Sequence, residues 1–146
     1  MEILDILILG SGPAALCLAS ELAKQNLNIK GISTKSPYEK WENTYGIWAS
    51  ELEEFGLASL LSHRWSKTVS YFGDGIKDKG NSPTKHYYDY GLINQEAFQN
   101  ELLKTCKGIQ WLNETAKLIK SENKISEVIC SSGLKLKARL VIDASG

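Results

Sequence analysis

The chain has 146 residues, of which 42% are hydrophobic and 23% charged, an ordinary balance for a soluble globular protein with a real core. Its 17 basic and 17 acidic residues give a net charge of +0, which gives no electrostatic reason to expect a nucleic-acid partner. No apolar run reaches the roughly 18 residues of a membrane span, and the three cysteines lack metal-binding or disulfide-framework spacing. These features predict an intracellular protein in a reducing compartment, without a bound metal.

The first 33 residues predict a strand, a helix and a second strand. Ile3 to Leu9 is an apolar run typical of a buried parallel strand. Pro13 to Gln25 carries apolar residues at helical spacing, with proline in its first turn and Asn26 as a left-handed stop. Leu27 to Ile32 completes a βαβ unit over residues 3–33.

The connection from this strand to this helix matches a dinucleotide-binding loop. Its sequence is Gly10-Ser11-Gly12-Pro13-Ala14-Ala15, a GxGxxG pattern with alanine in the third place. Gly10 permits a tight turn, Gly12 lets a pyrophosphate approach the backbone, and Ala15 lets the helix pack on the strand. The phosphates would bind at the helix N-terminus, where free N–H groups favour anions. The predicted contacts of this loop are Leu9, Gly10, Ser11, Gly12, Pro13, Ala14 and Ala15.

The acidic residue that usually follows the second strand and binds the ribose is missing. That strand ends at Ser33, whose hydroxyl is the candidate ribose contact, and the next acid is Glu39. Lys30 would suit the extra phosphate of NADP, but it lies in mid-strand and is expected to face solvent. The missing acid argues against a simple NAD dehydrogenase.

An aromatic insertion over residues 34–93 replaces the alternating strands and helices of a plain NAD domain. Its ring-bearing residues include Trp41, Tyr45, Trp48, Trp65, Tyr71, Phe72, Tyr87, Tyr88 and Tyr90. Within it we predict a helix capped by Ser50 that runs to about Phe55 and stops at Gly56. A strand over Thr68–Phe72, an Asp74-Gly75 turn and a loop over Ile76–Thr84 are predicted to follow.

Residues 94–138 predict a helix and a meander. Asn94 caps a helix from Gln95 to about Cys106. The candidate strands are Ile109–Leu112, Ala116–Lys120, Ser126–Cys130 and Leu134–Ala138, with turns at Asn123 and at Ser132-Gly133. A separate closing strand, Leu140–Asp143, then enters Ala144-Ser145-Gly146.

A strand that delivers Ala144, Ser145 and Gly146 resembles the later strand that closes on the cofactor in two-dinucleotide-binding flavoproteins. Together with the insertion and the meander, it favours FAD over NAD. The predicted fold is a Rossmann-like α/β FAD-binding domain with a parallel sheet and an antiparallel meander. Since a strand and its loop end the sequence, we expect a truncated domain.

A further motif carries a family resemblance. Asn43-Thr44-Tyr45-Gly46-Ile47-Trp48, followed by Glu51 and Leu52, resembles the N-x-Y-G-[IV]-W string and acidic helix of plant and cyanobacterial lycopene cyclases. Tyr88-Asp89-Tyr90-Gly91-Leu92 and the terminal VIDASG are also similar, so the resemblance covers essentially the whole chain. The family often has Asp where this chain has Ser50.

The resemblance implies an isomerase that closes a ring at the end of lycopene without net redox change, with reduced FAD as cofactor and NADPH as reductant. It implies Asn43, Tyr45 and Trp48 near the flavin or the polyene, where aromatic faces stabilise a carbocation. The catalytic acid and the membrane-contacting part are expected beyond residue 146. The parent enzyme is expected at the cytoplasmic side of a thylakoid or plasma membrane, as a peripheral protein.

Two alternatives remain open at this point. A flavin monooxygenase or prenyl reductase would use the same glycine loop and closing strand, although the NTYGIW string is not expected there. An inactive FAD-binding fragment is the second alternative. His63 and His86 have no partner at metal-binding spacing, and both are expected to be surface or hydrogen-bonded residues.

Overall fold

The computed structural model describes residues 2–71 and 83–146. In chain order its elements are β1 (Ile3–Leu9), α1 (Pro13–Leu22), β2 (Ile29–Ser33), β3 (Gly46–Trp48), α2 (Ala49–Glu54), β4 (Leu61–Trp65), β5 (Val69–Ser70), β6 (Thr84–Lys85), β7 (Tyr90–Ile93), α3 (Gln95–Thr105), β8 (Gln110–Asn113), β9 (Ala116–Glu122), β10 (Ile125–Cys130) and β11 (Lys135–Asp143). The chain divides into two compact units, Met1–Trp41 with Gln99–Gly146, and Glu42–Phe98. No helix in the described part is long and apolar enough to cross a bilayer.

The predicted βαβ unit is present in the first unit. β1 has its predicted bounds, and it pairs in parallel with β2. α1 ends three residues earlier than predicted, at Leu22, and a turn follows it, in which the Lys24 and Gln25 N–H groups donate to the carbonyls three residues before them. The left-handed stop at Asn26 is wrong: Asn26 is not among the described residues with positive φ.

The first unit is built on a six-stranded sheet with the order β8-β2-β1-β11-β10-β9. β8, β2, β1 and β11 run parallel, so their carboxyl ends meet at one edge. Such an edge is where open α/β sheets bind their ligands. The sheet therefore brings the glycine loop after β1 beside the ends of β2 and β11.

The meander differs from its prediction in two ways. Ile109–Leu112 does not belong to it, because the strand β8 pairs in parallel with β2. The two predicted strands Leu134–Ala138 and Leu140–Asp143 are one strand, β11, whose first part pairs with β10 and which pairs with β1 from Lys137 to Asp143. Arg139 does not break the strand because its side chain is exposed. The turns at Asn123 and Gly133 are as predicted, with positive φ at both residues.

Two apolar clusters hold the sheet, and they use alternate residues of β1. Ile6 and Ile8 pack with α1, whereas Leu7 and Leu9 pack with the meander residue Val128. Because successive strand residues point to opposite faces, β1 is covered on both sides, as its largely apolar sequence, interrupted at Asp5, predicts.

The second unit contains a three-stranded antiparallel sheet with the order β3-β7-β4 and a two-stranded ribbon of β5 and β6. Ser50 does not cap α2. The residue before the helix is Trp48, no side chain caps its N-terminus, and Ser50 lies in the first turn. Gly56 ends the helix as predicted, with φ +69° and bonds from Gly56 and Leu57 N–H to the carbonyls of Glu53 and Leu52.

The predicted strand Thr68–Phe72 is shorter in the structure, since β5 covers Val69–Ser70. Phe72, the Asp74-Gly75 turn and most of the predicted Ile76–Thr84 loop lie outside the described residues. Thr84, the last residue of that loop, belongs to β6. Asn94 caps α3 as predicted, because its Oδ1 accepts the Ala97 N–H at 3.1 Å.

Candidate functional site

The glycine loop lies at the carboxyl edge of the parallel sheet. The Gly10 N–H donates to the Ile32 carbonyl at 2.8 Å, and the Ala144 N–H donates to the Leu9 carbonyl at 2.9 Å. The loop is therefore joined to β2 on one side and to the end of β11 on the other. The structure brings together the predicted cofactor residues 9–15, Ser33 and 144–146.

Gly10 is required by its own conformation and by its neighbour. Its φ is +104°, a value that side-chain-bearing residues rarely adopt. A Cβ there would lie 2.4 Å from the Ala144 carbonyl oxygen and 2.9 Å from the Ser145 Cα. The glycine thus allows β1 and β11 to deliver their loops in contact with each other.

Gly12 has a different role, because it leaves open space at the N-terminus of α1. Its φ is −75°, which any residue adopts, and a Cβ there would meet no atom within 4 Å. No side chain caps the helix, and its first turn has no acidic residue. The first N–H groups of a helix have no intrahelical acceptor, and with the helix dipole they favour an anion. A pyrophosphate fits this position, where it would be in contact with Gly12.

Ala15 fixes the distance between α1 and the sheet. Its side chain is fully buried in the cluster that contains Ile6 and Ile8. A larger residue here would push the helix N-terminus away from the strand, since protein cores are close-packed.

Ser33 is engaged in a network that joins the end of β2 to the glycine loop. The Ser33 and Ser11 hydroxyl oxygens are 2.9 Å apart, and the Ser11 hydroxyl donates to the Lys35 carbonyl at 3.0 Å. The Lys35 N–H donates to Ser33 Oγ at 3.3 Å, and the Trp41 indole N–H donates to the Ser11 carbonyl at 3.2 Å. A ribose hydroxyl that binds Ser33 would therefore join an existing pair of hydroxyls.

Neither charged candidate near β2 is placed for a ribose. Lys30 lies near the amino-terminal end of the strand and pairs with Glu2 at 3.0 Å, so its predicted exposure to solvent is only partial. The Asn28 amide and Lys30 together lower the pKa of Glu2. Glu39 accepts the Ser36 N–H at 2.9 Å and closes a turn.

At the end of β11, Asp143 stabilises the terminal loop. Its Oδ1 accepts the Ser145 hydroxyl at 2.6 Å and the Ser145 N–H at 3.0 Å. The hydroxyl bond first, and the N–H bond second, lower the pKa of the Asp143 carboxyl. This turn holds Ala144 where its carbonyl faces Gly10.

Sequence reasoning missed two residues that support the loop after β2. Gln99 is buried, and its amide donates to the carbonyls of Pro37 and Glu39 at 2.8 and 2.7 Å. Trp41 is buried and anchors Ser11. The sequence signal for Gln99 was a glutamine on the apolar side of α3. Its hydrogen-bond partners could not be predicted, because they lie 60 residues or more away in sequence.

The other predicted contacts, Asn43, Tyr45 and Trp48, belong to the second unit. Asn43 is exposed, and the Tyr45 carbonyl accepts the Ile93 N–H at 2.9 Å. Trp48 begins a row of rings across the three-stranded sheet, because it pairs with Tyr90 and Tyr90 pairs with Trp65. The ring centroids are 5.4 and 6.5 Å apart. We call Trp48, Tyr90 and Trp65 the aromatic row.

A glycine makes room for this row. A Cβ on Gly46 would lie 2.1 Å from the Tyr90 hydroxyl oxygen, so the Tyr90 ring covers Gly46. Trp65 and Tyr90 are 42% and 38% exposed, which leaves part of the row open to a ligand. Gly46 and the predicted residue Trp48 thus serve the same face of the sheet.

Within residues 2–71 and 83–146, no group of cysteine, histidine or acidic side chains is placed to hold a metal ion. The three cysteines are free; Cys17 is partly buried, and this burial raises the pKa of its thiol. His86 accepts from or donates to the Ser70 hydroxyl at 2.6 Å, and the His63 ring packs on Trp65.

Comparison with known proteins decides the family. The profile described as "Lycopene cyclase protein" matches residues 5–146. The chain belongs to the lycopene cyclase family. It is 43% identical to the lycopene beta cyclase of Synechococcus elongatus over 144 residues, which are 97% of this chain and 33% of that protein. It is 31% identical to the chloroplastic lycopene beta cyclase of Arabidopsis thaliana over 147 residues, which are 99% of this chain and 28% of that protein.

The chain thus spans about a third of the length of the curated cyclases that it matches. The fold is found outside the family as well. It is similar to p-nitrophenol 4-monooxygenase from Pseudomonas putida, with a TM-score of 0.65 at 19% identity, over 100% of this chain and 42% of that one. This likeness supports the α/β architecture with its mixed sheet.

Proposed function

We propose that this chain is the FAD-binding part of a carotenoid cyclase that closes a ring on lycopene. The observation that carries the proposal is the open, uncapped N-terminus of α1 at Gly12, where a pyrophosphate fits. Membership in the lycopene cyclase family supports the choice of a flavin and of a carotenoid substrate.

The residues of the first unit bind and orient the cofactor. The first-turn N–H groups of α1 donate to the pyrophosphate, Gly12 allows it to approach, and Ser33 reaches the ribose from the end of β2. The loop of Ala144, Ser145 and Gly146 closes the site beside Gly10, and Asp143 keeps that loop in place. When it is bound and reduced by NADPH, the flavin would stabilise the positive charge of the ring-closing reaction or move a proton.

The second unit contributes to substrate binding. The aromatic row offers π faces that attract a developing carbocation by cation–π interaction, worth about 0.5–2 kcal/mol for each ring. Trp48 is the central candidate, with Tyr45 and Asn43 beside it in sequence. The reaction is an isomerisation that begins with protonation of a terminal double bond, and the acid that donates this proton is not assigned to any residue of this chain.

The whole enzyme would act as a peripheral protein on the membrane that contains its substrate. Carotenoids dissolve in the bilayer rather than in water, so the enzyme has to bind the membrane surface to reach its substrate. We place it at the cytoplasmic face of a thylakoid or plasma membrane.

A chimaera tests the function directly. Residues 1–146 of this chain would replace the matching third of the Synechococcus elongatus cyclase, and the chimaera would be expressed in bacteria that accumulate lycopene. Cyclic carotenoids are expected, and the Gly12→Ala chimaera should lose most of its activity while Gly108→Ala, a glycine with equally open surroundings, retains it. Persistent lycopene beside a folded, flavin-loaded chimaera would contradict the proposal.

A further inference from the structure

The ribbon of β5 and β6 differs from an ordinary surface ribbon in its side-chain arrangement, because polar side chains pack inward and apolar side chains are exposed. Val69 pairs with Lys85 and Ser70 pairs with Thr84, and the His86 N–H donates to the Thr68 carbonyl at 2.9 Å. Since directly paired residues of an antiparallel ribbon share a face, Val69 and Lys85 lie on one side. Tyr71 and Tyr87 each follow two residues further along the chain, just beyond the paired residues. We call these four residues the outer face.

The other side of the ribbon is the packed one, although it is polar. The Ser70 hydroxyl is bonded to His86 Nε2 at 2.6 Å, and the His86 ring lies 5.1 Å from the Trp48 ring. Thr68, Ser70 and His86 are each half-buried. Thr84, which pairs with Ser70, is exposed, so the groups that the ribbon turns inward are the side chains of Ser70 and His86.

The apolar side chains are left in solvent. Val69 is 45% exposed, Tyr71 65% and Tyr87 94%, and neighbouring Tyr88 is 65% exposed. A contiguous exposed apolar patch marks a site of interaction with a protein or a membrane. The exposure of these apolar side chains thus indicates that the outer face binds a partner.

Charge identifies the class of partner. Lys67 and Lys85 are exposed cations of the segments 65–71 and 83–90, while Asp89, the acid of these segments, is bonded to Arg64 at 2.7 Å. Tyrosine rings suit the boundary between apolar and aqueous layers, and lysine beside them attracts anionic headgroups. Lysine is depleted from the cores of protein–protein interfaces, and Lys85 lies in the middle of this face.

We propose that the outer face is a contact surface for an anionic lipid bilayer. This inference rests on the proposed function, which requires access to a substrate dissolved in the membrane. It assigns a membrane contact to residues of this chain, whereas the sequence led us to expect one only beyond residue 146.

Vesicle sedimentation of the 146-residue chain tests the proposal. We expect binding to phosphatidylcholine vesicles in which about a third of the lipid is phosphatidylglycerol, and weaker binding to pure phosphatidylcholine. Replacing Val69, Tyr71 and Tyr87 together by serine should weaken binding by at least about tenfold, since each apolar side chain loses its burial in the interface. Lys85→Glu should weaken binding about fivefold or more, and only to the anionic vesicles.

The matched control is Tyr38→Ser, which removes a tyrosine that is 69% exposed in the first unit and should leave vesicle binding unchanged. Lys85→Glu keeps the apolar side chains, so it tests the surface even if the triple variant does not fold. Absence of vesicle binding by the unmodified chain, or equal binding by all variants, would overturn the proposal. Either result would instead favour a further segment of a longer protein as the group that covers the outer face. Because the assay contains neither flavin nor carotenoid, its failure is distinguishable from a failure of the cyclase test.

Discussion

Alanine substitution at the two loop glycines should separate structural from binding roles. Gly10→Ala imposes a side chain on a backbone with φ +104° and brings its Cβ to 2.4 Å from the Ala144 carbonyl oxygen. Backbone strain of this kind costs about 1–3 kcal/mol. Displacing Ala144 also loses its 2.9 Å hydrogen bond to the Leu9 carbonyl, about 1 kcal/mol.

The free energy of unfolding of Gly10→Ala should thus fall by about 2–4 kcal/mol, a large part of the 5–15 kcal/mol that is typical of a domain. Gly12→Ala is the matched variant. Its φ of −75° suits alanine and its Cβ meets nothing within 4 Å, so its stability should stay within about 1 kcal/mol of the unmodified chain.

The assay is urea denaturation followed through the NMR amide signals of β1 and β11, the strands on either side of the contact. At a typical urea dependence of about 1–3 kcal/mol per molar, the midpoint of Gly10→Ala should fall by roughly 1–3 M. Equal midpoints for the two variants would refute the account of Gly10.

Three further results are expected. Asp143 should titrate by NMR with a pKa below the 3.8 of an unperturbed aspartate, because its two hydrogen bonds favour the ionised carboxylate. These bonds stabilise the fold at pH values above the pKa of the unfolded chain, and this stability is lost as the pH falls through the pKa of the folded chain. A titration midpoint above 3.8 would contradict this prediction. Gln99→Ala should cost about 1–3 kcal/mol in urea denaturation, because two carbonyls lose their buried donor, and no change would argue against this support. Gly46→Ala should displace the Tyr90 ring and reduce the near-ultraviolet circular dichroism of its contact with Trp48; an unchanged spectrum would show that the ring does not lie over Gly46.

Local patterns predicted the elements whose cause is local. β1 has its predicted bounds because an apolar run is closed by Gly10, and α3 begins where the Asn94 side chain caps it. The turn at Asn123 follows from residues that tolerate positive φ. The glycine loop was found in the same way, from a motif within its strand and helix.

Features that depend on distant partners were not predicted. The sequence of Ile109–Leu112 does not indicate that its strand pairs with β2 rather than with the meander. The continuity of β11 depends on its pairing with β1 from Lys137 to Asp143. The support that Gln99 and Trp41 give to the site also arises from contacts across 30 to 62 residues. Sequence located the candidate site, and the tertiary contacts explain how it is held.

Titration of the purified chain with FAD, followed by the quenching of flavin fluorescence, tests the central claim most directly. The account predicts saturable binding that Gly12→Ala weakens by more than about tenfold, or 1.4 kcal/mol, while Gly108→Ala, with equally open surroundings, leaves it unchanged. No saturable binding, or equal affinity of the Gly12→Ala variant and the unmodified chain, would contradict the assignment of a pyrophosphate site to the N-terminus of α1.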